Sequence, residues 1–335
     1  MTNRKRFVTF VVMEDVVIGI DLGGTYTKFG IVRRSGEVLA SGQIATDRWD
    51  RVEDFLEHLS EALHALMRGN VELMQVAGIG IGAPNGNYLK GTIEHAANLR
   101  WKGIVPFADL FRPHFDCPVY LTNDANAAAI GEMVFGAARG MRDFIVVTLG
   151  TGLGSGMVTS GRLLYGHDGF AGELGHTCAI PDGRQCGCGR KGCLETYVSA
   201  SGICRTFFEL MVQHPRPSLL SQESFDSLTS RKVAEAALQG DLVAMEVFER
   251  AGSVLGARLA DAVAYTSPEA IFLCGGVARA GELLFAPVRR SFEEHLLQVF
   301  REKIRILPSG LPEGQVGILG AAALVPDSGS PADFS

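Results

Sequence analysis

Four potential metal ligands lie within eighteen residues near the middle of the chain. His176 is followed by Cys186, Cys188 and Cys193, with C-x-C and C-x4-C spacings in a glycine-rich segment. Glycine lets the backbone turn tightly enough for three thiolates and an imidazole to converge, and this donor set is typical of a tetrahedral Cys3His zinc site. A disulfide is disfavoured, because Cys186 and Cys188 are too close to pair comfortably.

Two acidic residues, Glu173 and Glu195, flank these ligands and are not needed to bind zinc. One interpretation is a structural zinc that only staples the loop. A second is that the metal also positions His176, Glu173 and Glu195 around a polyol, because ligation occupies one ring nitrogen of a histidine and leaves the other free to donate a hydrogen bond. The two interpretations are compatible.

A glycine turn near the N-terminus could hold phosphate. A buried strand over Val16–Asp21 runs into Gly23, Gly24 and Thr25, and a second strand follows. Backbone N–H groups in such a turn can cradle phosphate oxygens, with Thr25 adding a donor and Lys28 a cation. Asp21 at the strand end could hold Mg²⁺, usually through water. A plain glycine-rich hairpin is the alternative.

The same pattern recurs later. A strand over Phe144–Leu149 leads into a glycine-rich loop, and another strand follows to Thr159. Two such loops predict two similar half-domains that clamp one nucleotide. The P-loop motif G-x-x-x-x-G-K-[ST] does not occur. The residues of this second loop predicted to contact nucleotide are Gly150, Thr151 and Gly152.

Two further polar positions could recognise a sugar. Asp124 lies in Asn123-Asp124-Ala125-Asn126, at a predicted strand-to-helix junction, where an Asp is often only an N-cap. Asn98 lies in an A-x-N-L stretch, and its amide can both donate to and accept from hydroxyl groups. For Asn98 the alternative is an Asn that caps its own loop.

Taken together, the runs GELGH, CxCGxxGCLE, DLGGT and NDAN resemble the signature of the ROK family (repressors, open reading frames, sugar kinases). The resemblance extends from about Val16 to Leu324. It implies an actin-like (ribonuclease-H-like) α/β fold with two lobes around a nucleotide and sugar cleft. The implied lobes are residues 1–122 with 312–325, and residues 123–311, followed by a disordered tail at 326–335.

The resemblance also implies roles for individual residues. Asp124 would be the catalytic base, which typically contributes about 10²–10⁴ in rate. Gly86 would lie in a loop that shapes the pocket, and Gly275 and Gly276 would lie against adenine and ribose. The residues that would hold sugar hydroxyls are Asn98, Asn123, Glu173, His176 and Glu195.

The implied activity is that of an ATP:hexose 6-phosphotransferase using Mg²⁺ with ATP, and glucose is the first expectation for the sugar. N-acetylmannosamine, N-acetylglucosamine, fructose and allose are alternatives, and polyphosphate is an alternative donor. The alternative from a different functional class is a sugar-responsive transcriptional regulator. We disfavour it, because only about twenty residues precede Asp21 and they do not resemble a DNA-binding domain.

The composition limits the classes of partner that the protein is expected to bind. The formal net charge is −6, which argues against nucleic acid as a main partner, and no apolar run is long enough to span a bilayer. Seven cysteines, three of them clustered like metal ligands, suit a reducing cytoplasm. The family resemblance implies a homodimer. A basic and then apolar N-terminus resembles a signal peptide only superficially, and Met13 is an alternative start to Met1.

Overall fold

The computed structural model describes residues 14–70, 74–213 and 216–327, and two five-stranded sheets form its framework. The strands are β1 (Glu14–Leu22), β2 (Tyr26–Arg33), β3 (Val38–Ala45), β4 (Met74–Ala83), β5 (Gly86–Asn87), β6 (Thr92–Glu94), β7 (Ile104–Val105), β8 (Val119–Asn123), β9 (Phe144–Leu149), β10 (Leu153–Thr159), β11 (Arg162–Leu163), β12 (Ala270–Cys274) and β13 (Arg305–Pro308). The helices are α1 (Val52–Asn70), α2 (Phe107–Phe111), α3 (Asp124–Val134), α4 (Glu195–Val198), α5 (Ala200–Gln213), α6 (Ser230–Leu238), α7 (Leu242–Thr266), α8 (Glu282–His295) and α9 (Val316–Ala322).

The first sheet has the strand order β3-β2-β1-β4-β8. Strand β1 runs antiparallel to β2 and parallel to β4, which in turn runs parallel to β8. The apolar run from Val16 to Ile20 is fully buried, as expected for a central strand covered on both faces. The β1–β2 register places Asp21 opposite Lys28, one residue pair before the turn.

The second sheet repeats this arrangement with the order β11-β10-β9-β12-β13. Strand β9 runs antiparallel to β10 and parallel to β12, and β12 runs parallel to β13. In the position that corresponds to Asp21 and Lys28, Thr148 pairs with Gly154. Each sheet therefore has a hairpin turn at the end of its central strand, as the two glycine loops predicted.

Two helices of small residues connect the sheets. Helix α9 packs on β1, β2 and β4 of the first sheet and crosses α3, which also packs against β10 of the second. A β-carbon on Gly131 of α3 would lie 2.8 Å from the α-carbon of Gly320 in α9, so the two backbones cross in direct contact. The predicted lobe boundaries, 1–122 with 312–325 and 123–311, stay predictions.

A pair of long helices, α7 and α8, packs closely beside the second sheet. Asp241 caps α7 by accepting the N–H groups of Val243 and Ala244. Helix α8 was not predicted, and it contains Pro287. A β-carbon on Gly252 of α7 would lie 2.6 Å from the Cγ of Pro287, so a glycine on one helix makes room for the proline on the other.

Side-chain contacts set two helix boundaries. Helix α3 ends at Val134, and just beyond it the Glu132 carboxylate accepts the N–H of Ala137. Helix α6 is capped by Thr229, whose side chain accepts the Lys232 N–H. The small sheet β5-β6-β7 was not predicted, since its strands are only two or three residues long.

Some predictions lie outside the described residues, namely the choice between Met1 and Met13 and the tail beyond Asp327. Within the residues that are described, no helix is both long and apolar enough to cross a membrane.

Candidate active site

The first glycine turn brings a charged pair and a predicted sugar residue together. The Gly23 N–H donates to the Tyr26 carbonyl, which closes the turn. A β-carbon on Gly24 would lie 2.7 Å from the carbonyl oxygen of Asn98, so the absence of a side chain lets the Asn98 loop rest against the turn. Thr25, Lys28 and Asn98 are exposed at this surface.

Asp21 is the acidic group of this turn. Burial and the nearby charge of Asp124, partly offset by Lys28, raise the pKa of the Asp21 carboxyl to about 6. A β-carbon on Gly317, at the start of α9, would overlap this carboxylate. Gly317 therefore leaves the space that Asp21 occupies. Sequence reasoning did not find this role, because the two residues are far apart in the chain.

Asp124 lies where β8 passes into α3. The Asn123 side chain caps the helix by accepting the Ala125 N–H at 2.9 Å, and Asp124 Oδ1 accepts the same N–H at 2.8 Å. Asn123 thus provides the side-chain cap of α3, and Asp124 is an exposed residue at this junction whose carboxylate is nevertheless largely enclosed by protein. That enclosure raises the pKa of its carboxyl, against the hydrogen bond from Ala125.

Gly86 is buried beneath this junction. A β-carbon there would overlap the carbonyl of Thr122, just before Asn123 and Asp124. The glycine therefore lets β5 pack closely against the end of β8, directly before Asp124.

The second glycine turn lies against Glu195. The Gly150 N–H donates to the Gly152 carbonyl, and the Leu153 N–H donates to Glu195 Oε2 at 3.3 Å. A β-carbon on Gly152 would lie 2.8 Å from the same carboxylate oxygen. The predicted loop extended to Gly156, but β10 already begins at Leu153, so the turn is limited to residues 150–152.

The four predicted metal ligands converge as their spacing indicated. One ligand atom from each of His176, Cys186, Cys188 and Cys193 lies within 4.8 Å of every other. The sulfurs of Cys188 and Cys193 are 3.6 Å apart, and Cys186 Sγ is 3.7 Å from His176 Nδ1. In a tetrahedral site with Zn–S bonds of about 2.3 Å, neighbouring sulfurs lie about 3.8 Å apart. The donor set and its dimensions therefore fit zinc.

The two flanking acids lie beside this cluster. Glu195 Oε1 accepts a hydrogen bond from Cys186 Sγ at 3.1 Å and lies 3.8 Å from His176 Nδ1. Burial raises the pKa of the Glu173 carboxyl, an effect that His176 opposes and that the charges of Asp124 and Glu195 reinforce. Glu173, His176 and Glu195 therefore share one electrostatic environment with Asp124.

A cavity of about 440 Å³ opens beside Asp21 and Lys28. Gly275, whose φ of +92° favours glycine, also lines this cavity. Gly276 is exposed next to Gly275 and is not a wall residue. The second glycine turn is not part of the cavity wall either. The rest of the wall comes from segments that sequence reasoning did not single out: Leu273, Cys274, Ala278, Arg279, Pro308, Ser309, Leu311, Glu313, Gly314, Val316 and Gly317.

Comparison with known proteins is consistent with this geometry. The family model described as "ROK family" matches residues 17–328. A glucokinase from Halalkalibacterium halodurans is 35% identical over 306 residues, covering 90% of this chain and 92% of the relative. A xylose repressor from Caldicellulosiruptor bescii is 31% identical and covers 96% of this chain, which spans 81% of the repressor.

Among solved structures, a ROK family glucokinase from Streptomyces griseus in complex with glucose and AMPPNP superposes with a TM-score of 0.78. It is 36% identical in sequence, and the match covers 92% of this chain and 98% of that one. The two sheets with equal strand order thus belong to the actin-like α/β fold that the sequence predicted.

Proposed function

Because the chain belongs to the ROK family, we propose that it is an ATP-dependent hexose kinase that converts glucose to glucose 6-phosphate. The observation that carries the proposal is the position of Asp124. Asp124 is exposed, and its carboxylate lies within electrostatic reach of both Asp21, beside the first glycine turn, and Glu173, beside the Cys3His cluster. A base at this point can serve a hydroxyl that attacks a phosphoryl group.

Asp124 would accept the proton of the 6-hydroxyl as that oxygen attacks the γ-phosphorus of ATP. A carboxylate with a raised pKa is a stronger base than an ordinary Asp, which suits general base catalysis. The proton leaves the hydroxyl for Asp124, and the bond between the γ-phosphorus and the β-γ bridging oxygen breaks to release ADP. Since phosphoryl transfer depends mainly on alignment and charge stabilisation, the remaining residues act by holding the two substrates.

The phosphate end would be held by the two turns. Gly24 and Thr25 on one side, and Thr151 and Gly152 on the other, would present backbone N–H groups to phosphate oxygens. Gly23 and Gly150 would shape these two sites, because their N–H groups close the turns. Asp21 and Lys28 fit the metal-nucleotide end, because a half-buried carboxylate and an exposed cation flank the cavity there. Mg²⁺ bound with ATP supplies charge neutralisation at the phosphates. Gly275 and Gly276 would lie against adenine and ribose.

The sugar end would be held by Asn98, Asn123, Glu173, His176 and Glu195, with Gly86 shaping the loop below. The Cys3His cluster would hold a structural zinc. Because His176 turns Nδ1 toward Cys186, a metal on Nδ1 would leave Nε2 free to donate a hydrogen bond. This proposal gives the cluster a second task beyond stapling the loop, namely fixing His176 and Glu195.

The setting that we propose is a cytoplasmic homodimer that binds neither nucleic acid nor membrane. The acidic net charge supports the absence of a nucleic acid partner. Light scattering of the purified protein at several concentrations would test the dimer, and a monomer at all of them would contradict it.

The activity is tested by ADP release from MgATP with a panel of glucose, mannose, fructose, allose, glucosamine, N-acetylglucosamine and N-acetylmannosamine. We expect the highest kcat/KM for glucose. Preference for an N-acetyl sugar would keep the mechanism and change the substrate. Turnover with polyphosphate but not ATP would overturn the donor assignment.

The second candidate function is sugar-responsive regulation, which the similarity to the C. bescii repressor favours. Calorimetric titration with glucose separates the two functions. Tight glucose binding with no phosphoryl transfer from any donor would support a sensor and contradict the kinase.

A further inference from the structure

The carboxylate of Glu132 is buried away from the cleft, near the end of helix α3. Only 1% of the residue is exposed. Its carboxylate accepts the N–H of Ala137 at 2.9 Å, the N–H of Gly310 at 3.0 Å and the hydroxyl of Ser309. Within residues 14–70, 74–213 and 216–327 it forms no ion pair.

Burying a carboxylate without a cation costs several kcal/mol before its hydrogen bonds are counted. An apolar side chain of similar size would fill the same space without that cost. The feature that an apolar residue would not reproduce is the attachment of Ser309 and Gly310 to α3 through directed hydrogen bonds.

Ser309 and its neighbours form part of the nucleotide cavity. Pro308, Ser309 and Leu311 line it, and the Ser309 N–H donates to the carbonyl of Leu273, another wall residue. A β-carbon on Gly310 would lie 2.5 Å from the Ala137 nitrogen, so this segment also packs directly on the turn that follows α3. The carboxylate of Glu132 therefore joins one wall of the cavity to the C-terminal end of α3.

The other end of α3 begins with Asp124. Cys274, which lines the cavity, lies within electrostatic reach of both carboxylates. Burial and the charges of Glu132 and Asp124 together raise the pKa of its thiol to about 12. One eleven-residue helix thus carries the proposed base at its first residue and the cavity-wall attachment near its last turn.

We propose that Glu132 is a positioning residue that couples the nucleotide cavity to the helix carrying Asp124. It touches neither substrate. By holding Ser309 and Gly310 on α3, Glu132 keeps the cavity wall and Asp124 in one rigid unit. The position of the wall that binds nucleotide is then also the position that places Asp124 for catalysis. This inference rests on the proposed kinase function for its turnover readout, but its nucleotide-binding readout is independent of the sugar.

The test uses two variants. Glu132→Gln keeps the size of the side chain but places an NH2 group against N–H donors. Ser309→Ala removes one hydrogen-bond donor and leaves Glu132 in place. Binding of MgAMPPNP is measured by calorimetry on the full chain, and KM for MgATP, KM for glucose and kcat by ADP release. We expect the nucleotide Kd and the KM for MgATP to rise about tenfold in Glu132→Gln and by a smaller factor in Ser309→Ala, within the range of coupling between sites. Glucose KM should change less than twofold.

The chain offers a matched control. Asp241 is also a buried carboxylate held by a serine hydroxyl and backbone N–H groups, with Ser218 Oγ at 2.6 Å and the Leu219 nitrogen at 2.7 Å from its Oδ2. It caps α7 and is not part of the cavity wall. Asp241→Asn and Ser218→Ala should lower the thermal midpoint and leave the nucleotide Kd unchanged.

Equal nucleotide affinity in the wild type and in both cavity variants would overturn the inference, as would the same rise in Kd in the Asp241 and Ser218 variants. Should Glu132→Gln fail to fold, Ser309→Ala decides between these outcomes. A wild type that binds MgAMPPNP but phosphorylates no sugar would contradict the proposed function, while the binding comparison would still decide the role of Glu132.

Discussion

The two glycine turns occupy equivalent positions in the two sheets but carry different chemistry. In the first, the residue pair before the end of the hairpin is Asp21 and Lys28, and in the second it is Thr148 and Gly154. Each turn also rests on a residue predicted to bind sugar: Gly24 on Asn98, and Gly152 on Glu195. The equivalent pair of hairpin residues is thus charged in the first sheet and neutral in the second.

The missing charge in the second turn has a structural consequence. A β-carbon on Gly154 would lie 2.8 Å from Ala125 and 3.9 Å from Asp124 Oδ1, so α3 packs directly on β10. An acidic residue in the place of Thr148 would set a third carboxylate near Asp124 and Asp21. Placing the acid in the first turn and small neutral residues in the second lets the helix with the proposed base approach the second sheet.

The largest effect is expected from Asp124, which lies between the two turns. Asp124→Asn should lower kcat by about 10²–10⁴, since the variant loses the proton acceptor but keeps the size of the side chain. Glucose Kd from calorimetry should change little. Turnover within a few-fold of wild type would show that Asp124 is not the general base, despite its position between the turns and its raised pKa.

A smaller effect is expected from the Cys3His cluster, which contacts the second turn through Glu195. Cys188→Ser removes one of four ligands and should lower the zinc content below one per chain and raise glucose KM by about tenfold or more. Cys204→Ser is the control, because Cys204 is a buried core residue of α5 that donates to the Leu228 carbonyl. Full zinc occupancy with unchanged glucose KM in Cys188→Ser would show that the cluster does not support the sugar site.

The contacts of the turns with Asn98 and Glu195 can be compared directly. Gly24→Ala should raise glucose KM about tenfold, because its β-carbon meets the Asn98 backbone and overpacking costs about 1–3 kcal/mol. Gly152→Ala should raise glucose KM about threefold, since its β-carbon meets only the end of the Glu195 side chain and no backbone atom.

Gly150→Ala is the control for glucose KM, because nothing lies within 4 Å of its β-carbon position. Equal values for all three variants would show that these contacts do not shape the sugar site.

A last prediction concerns the charge of the first turn and is measured as stability instead of catalysis. The pKa of Asp21 is about 6 in the folded protein against 3.8 for an ordinary Asp, so the folded state holds this proton more tightly. The contribution of Asp21 to stability should therefore fall as the pH rises from about 4 to about 6. Asp21→Asn removes this dependence, so the variant gains stability relative to wild type over that range, by up to about 3 kcal/mol.

Unfolding midpoints from pH 4 to 8, without Mg²⁺ or nucleotide, measure this difference, and contributions common to both proteins cancel. Asp47→Asn, in an exposed loop position after β3, is the control. Parallel curves for Asp21→Asn and wild type would contradict the raised pKa.

How much of the site the sequence could predict depended on the distance between partners along the chain. The four metal ligands fall within eighteen residues, and their convergence followed from spacing alone. Helix α8 escaped prediction, because its proline is tolerated only through the glycine facing it on α7. Glu132 escaped too, since a Glu in a helix reads as an ordinary exposed residue until its partners at 309 and 310 are known.

Hydrophobic runs, turn glycines and local ligand spacing by themselves determined the central strands, the two glycine turns and the Cys3His cluster of this protein, because each depends on residues near one another in the chain. The register and close packing of the tertiary structure decided that Asn98 rests on Gly24, that Gly317 makes room for Asp21, and that Glu132 holds Gly310 against α3. Those contacts join segments dozens to hundreds of residues apart, and only the packing of two sheets around α3 and α9 selects them.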